Sequence, residues 1–158
     1  MSQPFLISAQ TINKEAQQQK EADLLIQRGQ EQLDIGQAEE AFKTWQKATK
    51  IYQQLHDEDS ITGSLINQNL ALQALGLHYR ACNTLLSALK LDANASLCAT
   101  TPQQPTESME KLLTVAIHKQ TLSPVNLLGL HNLGEVLRRL GKLDKSKKVL
   151  SEILSAAK

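Results

Sequence analysis

The stretch HNLGEVLRRLGKLDKSKKVL, residues 131–150, holds two glycines seven positions apart, with Asn-Leu ahead of the first and Lys-Leu-Asp behind the second. It reads either as one amphipathic helix weakened by glycine or as two helices meeting at a corner. Two other parts of the chain decide between these readings. GQEQLDIGQAEEAFKTWQKA from Gly29 and NLALQALGLHYRACNTLLSA from Asn69 overlay on GEVLRRLGKLDKSKKVLSEI from Gly134. The second glycine falls at Gly36, Gly76 and Gly141, and five residues later comes a small residue, Ala41, Ala81 or Ser146. Four further on sits a bulky one, Trp45, Leu85 or Leu150, followed after three by Ala48, Ala88 or Ile153. Glycine stops a helix because it reaches left-handed dihedrals cheaply. A small residue then lets the next helix come close, and a bulky one a turn later fills the space between. Each copy is therefore two antiparallel helices with the corner at its second glycine. Gly134, inside a helix, costs about 1 kcal/mol against alanine, so close packing against the partner helix is its expected compensation.

Composition narrows the class. The chain has 158 residues, enough for one domain or a short repeat array. Apolar residues make up 41% and aromatic ones 3%, so the core must be built from Leu, Ile and Ala, as in stacked helices. No run alternates apolar and polar residues long enough for a sheet strand. A formal net charge of +1 gives no electrostatic case for nucleic acid. No segment approaches the roughly 20 apolar residues of a membrane span, and the start lacks the basic region of a signal peptide. Cys82 and Cys98 do not make a disulfide framework, so a cytoplasmic location is expected.

These residues resemble the tetratricopeptide repeat. In the third copy Asn132-Leu133-Gly134, Leu137, Gly141, Ser146, Leu150 and Ile153 fall where that family puts its signature residues. The second copy matches at Asn67, Leu72, Gly76, Ala81, Leu85 and Ala88, with Asn69 in place of the first glycine. The first matches at Gly29, Gly36, Ala41, Trp45 and Ala48 and departs at Gln27 and Gln32. The segments GQAEEAFKTWQKATKIYQQLHDEDS, ALQALGLHYRACNTLL and LGLHNLGEVLRRLGKLDKSKKVL look like the N-terminal repeat arrays of cyanobacterial proteins that end in a CHAT domain, a caspase-like cysteine peptidase. That resemblance implies a regulatory fragment rather than the enzyme, since no room for the peptidase follows Lys158. The expected fold is an all-α, right-handed tetratricopeptide-like solenoid of about three helix pairs, near 22–55, 62–92 and 124–157, within one domain from 11 to 158.

The remaining pieces are a tail, an insert and an open end. Residues 1–10 are expected to be mobile, with one long helix starting near Thr11. Gly36 to Gly76 is 40 residues and Gly76 to Gly141 is 65, so the third copy follows an insert, 93–123. Its loop, ANASLCATTPQQP, precedes a helix with Met109, Leu112, Leu113, Ala116 and Ile117 on one face. Ser123 and Pro124 suit an N-cap and first-turn proline. Seven helices result, the inserted one packing alongside.

Chemistry-bearing groups are sparse. His78 and Cys82, four apart, could touch as a peptidase dyad, but they occupy helix-packing positions and lack an oxyanion site and third group. His56, His78, His118 and His131 are too scattered for a metal site. Asp57, Glu58 and Asp59 read as a solvated turn without the spaced oxygens of a calcium loop. No phosphate loop or nucleophile elbow occurs, so neither enzyme activity nor a cofactor is expected.

Surface remains. In the resembled family the first helix of each pair lines a concave groove. That assignment puts Asp23, Ile26, Gln30, Leu33 and Asp34 there, then Ile66, Leu70, Gln73 and Ala74, then Leu128, His131, Glu135, Arg138 and Arg139. The groove would run from acidic to apolar to basic and bind a protein or peptide, or hold a downstream CHAT peptidase domain. Repeats that grip C-terminal carboxylates place Lys then Asn where this chain has Ile26 and Gln30, which argues against that clamp. Arg138 and Arg139 suit an acidic peptide. A second surface is the apolar stripe Val149, Leu150, Ile153 and Leu154, which no polar capping helix follows before Lys158. More repeats or a docked domain of a longer protein would cover it, or two copies would cover each other as a homodimer.

Overall fold

The computed structural model describes residues 3–92, 97–99, 114, 117–118 and 123–156. Helices with described bounds are α1 (Gln3–Asp34), α2 (Ala38–Gln54), α3 (Glu58–Ala74), α4 (His78–Ala88), α5 (Pro124–Arg139) and α6 (Leu143–Ala156). No strand occurs among the described residues. Helix α1 packs on α2, α3 on α4 and α5 on α6; α2 also meets α3, and α5 meets both α3 and α4. Residues 131–150 are thus parts of two helices, and the described residues form an all-α solenoid of three stacked pairs.

The corners explain why these residues form these elements. Gly36, Gly76 and Gly141 stand at φ +82°, +75° and +77°. At each, the glycine N–H and the next N–H bond back across the helix end, as in Gly141 N to Arg138 O at 3.0 Å and Lys142 N to Leu137 O at 2.9 Å. That pair of bonds satisfies the last carbonyls of the helix. The links between α2 and α3 and after α4 use the same turn without glycine, at His56 (φ 54°) and Lys90 (φ 57°). A left-handed non-glycine residue costs roughly 1–2 kcal/mol, and the repeat pattern gave no hint of it. Two helix starts carry side-chain caps, whereas those of α2 and α4, at Gln37 and Leu77, have none. Ser123 Oγ accepts from Asn126 N at 3.2 Å with Pro124 in the first turn, as expected. Asp57, expected in a solvated turn, instead caps α3 by accepting from Ser60 N at 3.2 Å.

The repeated positions pack as their spacing implies. Ala41 and Ala81 are 0% exposed and Ser146 is 3% exposed. A Cβ on Gly29 would lie 2.6 Å from Trp45 Cδ1, and one on Gly134 2.6 Å from Leu150 Cδ2. Bulky residue and glycine therefore face each other in the first and third pairs, which is the compensation expected for Gly134. Ser146 Oγ adds a hydrogen bond to Gly134 O at 2.7 Å. The second and third pairs share one core of Ile66, Leu72, Leu85, Leu130, Leu137 and Val149, among others. The seam between α2 and α3 is partly polar and satisfied. The Thr49 hydroxyl donates to Ser64 Oγ at 2.8 Å and accepts from Gln68 Nε2 at 2.7 Å, while Ser64 donates to Ile61 O at 2.9 Å.

Several expectations change. Helix α1 begins at Gln3 rather than near Thr11, because nothing between them breaks a helix once Pro4 occupies its first turn. Cys82 and Cys98 are joined in a disulfide, which removes the reason given for a cytoplasmic location. A left-handed turn at Lys90 lies between the two cysteines, which are 16 apart in sequence and meet in the core. Of the insert, Thr114, Ile117 and His118 are helical; Ile117 is 0% exposed in the shared core, and His118 Nε2 lies 2.8 Å from Glu152 Oε2 of α6. Met109, Leu112, Leu113 and Ala116 lie outside the described residues. Among the described residues no helix is long and apolar enough to cross a membrane.

Candidate partner-binding groove

Helices α1, α3 and α5 are the first members of the three pairs. The contact between α3 and α5 carries a chain of amides. Gln73 Nε2 donates to Asn69 Oδ1 at 2.9 Å, Asn69 Nδ2 to Asn132 Oδ1 at 3.3 Å, and Asn132 Nδ2 to Leu128 O at 2.9 Å. Asn69 is 0% exposed, yet both ends of its amide are satisfied. Sequence reasoning did not select Asn69 or Asn132 as groove residues. The available sign was Asn69 itself, a polar side chain at the position where Gly29 and Gly134 face a bulky partner.

Around this bridge the expected site residues separate by burial. Helical spacing aligns Leu128, Asn132, Glu135 and Arg139 on one stripe of α5, with His131 and Arg138 beside it. Leu128, His131, Arg138 and Arg139 are exposed and Glu135 is half-buried. Arg138 Nη2 donates to Glu135 Oε2 at 2.9 Å, and this bond holds the Glu135 carboxyl below the usual carboxylate range. Arg139 makes no close ion pair among the described residues, although its charge also acts on the Glu135 carboxyl. On α3, Leu70 and Gln73 are half-buried and Ala74 exposed, whereas Ile66 is 2% exposed and belongs to the core. Ile66 packs inward because a Cβ on Gly129 would sit 3.3 Å from its Cδ1, so α5 covers it.

On α1, Gln30 and Asp34 are exposed and bonded to each other, Nε2 to Oδ1 at 2.7 Å. Ile26 and Leu33 are half-buried against the Ala41, Trp45 and Ala71 cluster, and Ile26 O accepts from Trp45 Nε1 at 3.1 Å. Asp23 is committed to α2, accepting from Tyr52 Oη at 2.6 Å. Burial first, then that carboxylate, pushes the Tyr52 hydroxyl's pKa above its ordinary value. The structure thus brings together the α3 and α5 groups and leaves the α1 pair at the other end.

The alternative surface is smaller than its sequence implied. Val149 is 0% exposed, Leu150 fills the space over Gly134, and Ile153 packs on the core, leaving Leu154 69% exposed. The His78 and Cys82 dyad has no thiol, since Cys82 is half of the disulfide.

No curated protein and no solved structure matches the chain. Tetratricopeptide repeats generally mediate protein–protein interaction and are typically non-catalytic scaffolds. Residues 129–158, which hold most of α5 and all of α6, match the family model of the tetratricopeptide repeat.

Proposed function

We propose that the chain is a non-catalytic protein-binding module that takes a partner along α3 and α5. The observation that carries this reading is the Asn69–Asn132 bridge. It fixes the two helices side by side through side chains that could otherwise have been apolar, and it sits within the row of Gln73, Leu128, His131 and Arg139. A hydrogen-bonded row of amides beside an exposed histidine and guanidinium suits an extended peptide with acidic groups, because the amides are already ordered before binding. A caspase-like CHAT domain of the same protein is one partner consistent with the sequence resemblance. Dimerisation through the last helix would rest on Leu154 and on little else of its stripe.

Affinity capture with wild type beside the Arg138→Glu, Arg139→Glu variant tests the reading. A protein retained by the first and lost by the second, at equal helicity, supports it. Identical capture profiles would sink it.

A further inference from the structure

A second charged surface lies outside the groove. Thr49 marks the side of α2 that meets α3. Helical periodicity puts Glu40, Lys43 and Lys47 roughly opposite it. There they face Leu25, Arg28 and Gln32 of α1 across an open cleft of about 440 Å³. Among the described residues this cleft is lined by α1 and α2 alone.

Most of the charged side chains that line the cleft are cationic. Its one carboxylate, Glu40, is held by Lys43 at 3.4 Å, and Lys43 also pairs with Glu39 at 3.0 Å. Arg28, Lys47 and Lys50 have no acidic partner among the described residues. The buried Thr44 hydroxyl donates to Gln32 Oε1 at 2.7 Å, which occupies that amide's acceptor and leaves its NH₂ free to donate. Three cations without an acidic partner on one cleft give it a positive potential that favours an anionic partner. Lys47 and Lys50 lie three residues apart on α2, the spacing at which successive turns of a second helix present carboxylates, and Arg28 lines the same cleft from α1.

We propose that this slot between α1 and α2 docks an acidic helix of a protein partner, carboxylates on Arg28, Lys47 and Lys50 and a small apolar residue against Leu25. The site is separate from the α3–α5 groove and does not depend on it.

The test uses the full chain and a fluorescein-labelled, alanine-based helix of about 15 residues with glutamates at i, i+4 and i+7. Anisotropy is read at about 50 mM salt, where screening is modest. The Arg28→Glu, Lys47→Glu variant should bind at least about tenfold more weakly than wild type. The Arg138→Glu, Arg139→Glu variant carries the same charge change in the groove and should bind within about twofold of wild type, which separates this site from the groove reading. Should the first variant lose its circular dichroism, Arg28→Gln with Lys47→Gln takes its place. Equal weakening by both variants, or no binding by wild type, overturns the proposal. So does preference for inorganic tripolyphosphate over the peptide, which would mark a phosphate site instead.

Discussion

Gly29→Ala tests the packing of the first helix pair. A methyl there would lie 2.6 Å from Cδ1 of Trp45, whose ring is 0% exposed and whose N–H bonds to Ile26 O at 3.1 Å. Alanine gains about 1 kcal/mol of helix propensity. Against that stands an overpacking cost near the upper end of the usual range, about 3 kcal/mol, because a rigid indole cannot step aside. Displacing the ring also breaks its buried hydrogen bond, adding about 1 kcal/mol. The net loss is about 3 kcal/mol, which lowers Tm by about 10 °C in a chain of this size. Trp45 is the single tryptophan, so its emission reports the site directly and should shift to the red with the fall in Tm. Gly63→Ala is the internal control, since its nearest neighbour, Val125 Cγ2, is 3.8 Å away. That change should stabilise by about 1 kcal/mol. A Gly29→Ala protein at least as stable as wild type, with unchanged emission, would refute the close approach of α1 and α2.

Other expectations follow from single contacts. Lys90→Gly should raise Tm by about 2–4 °C, because it relieves a left-handed lysine. The exposed pair that Lys90 makes with Glu58 at 3.1 Å contributes little, so a lower Tm would show that the turn is not strained. Dithiothreitol should lower stability by about 3 kcal/mol by opening a loop of 16-residue separation, read as a drop in Tm absent from Cys82→Ala with Cys98→Ala. The Tyr52 pKa is raised on folding, so its contribution is complete below its unfolded value near 10 and is lost as pH rises through the higher folded value. Tyr52→Phe should therefore flatten the alkaline decline in stability; an unchanged decline above pH 10 would mean another group causes it.

The fold was largely legible because its repeat is written in residue size. Gly29 and Gly134 opposite Trp45 and Leu150, small residues at 41, 81 and 146, and glycine corners at 36, 76 and 141 each have one geometric reading. What escaped detection depends on the third dimension. The disulfide lies beyond a left-handed turn at Lys90, which no glycine announces. The burial of Ile66 depends on how α5 lies across α3, a contact that also carries the Asn69–Asn132 bridge between residues 63 apart. Val149 looked like an open stripe because helical spacing alone does not say which side of α6 meets α5. Charge was legible as composition only: a net +1 hides a cleft with three unpaired cations and an acidic turn at 57–59.

The measurement that tests the groove most directly is site-specific photo-crosslinking in the source cell. A photoreactive residue is placed in turn at Gln73, His131 and Arg139, and at Lys147 on the exposed side of α6. Binding along α3 and α5 predicts one common crosslinked partner from the first three positions and none from Lys147. Crosslinks from Lys147 alone, or the same products from all four positions, would contradict a binding groove on α3 and α5.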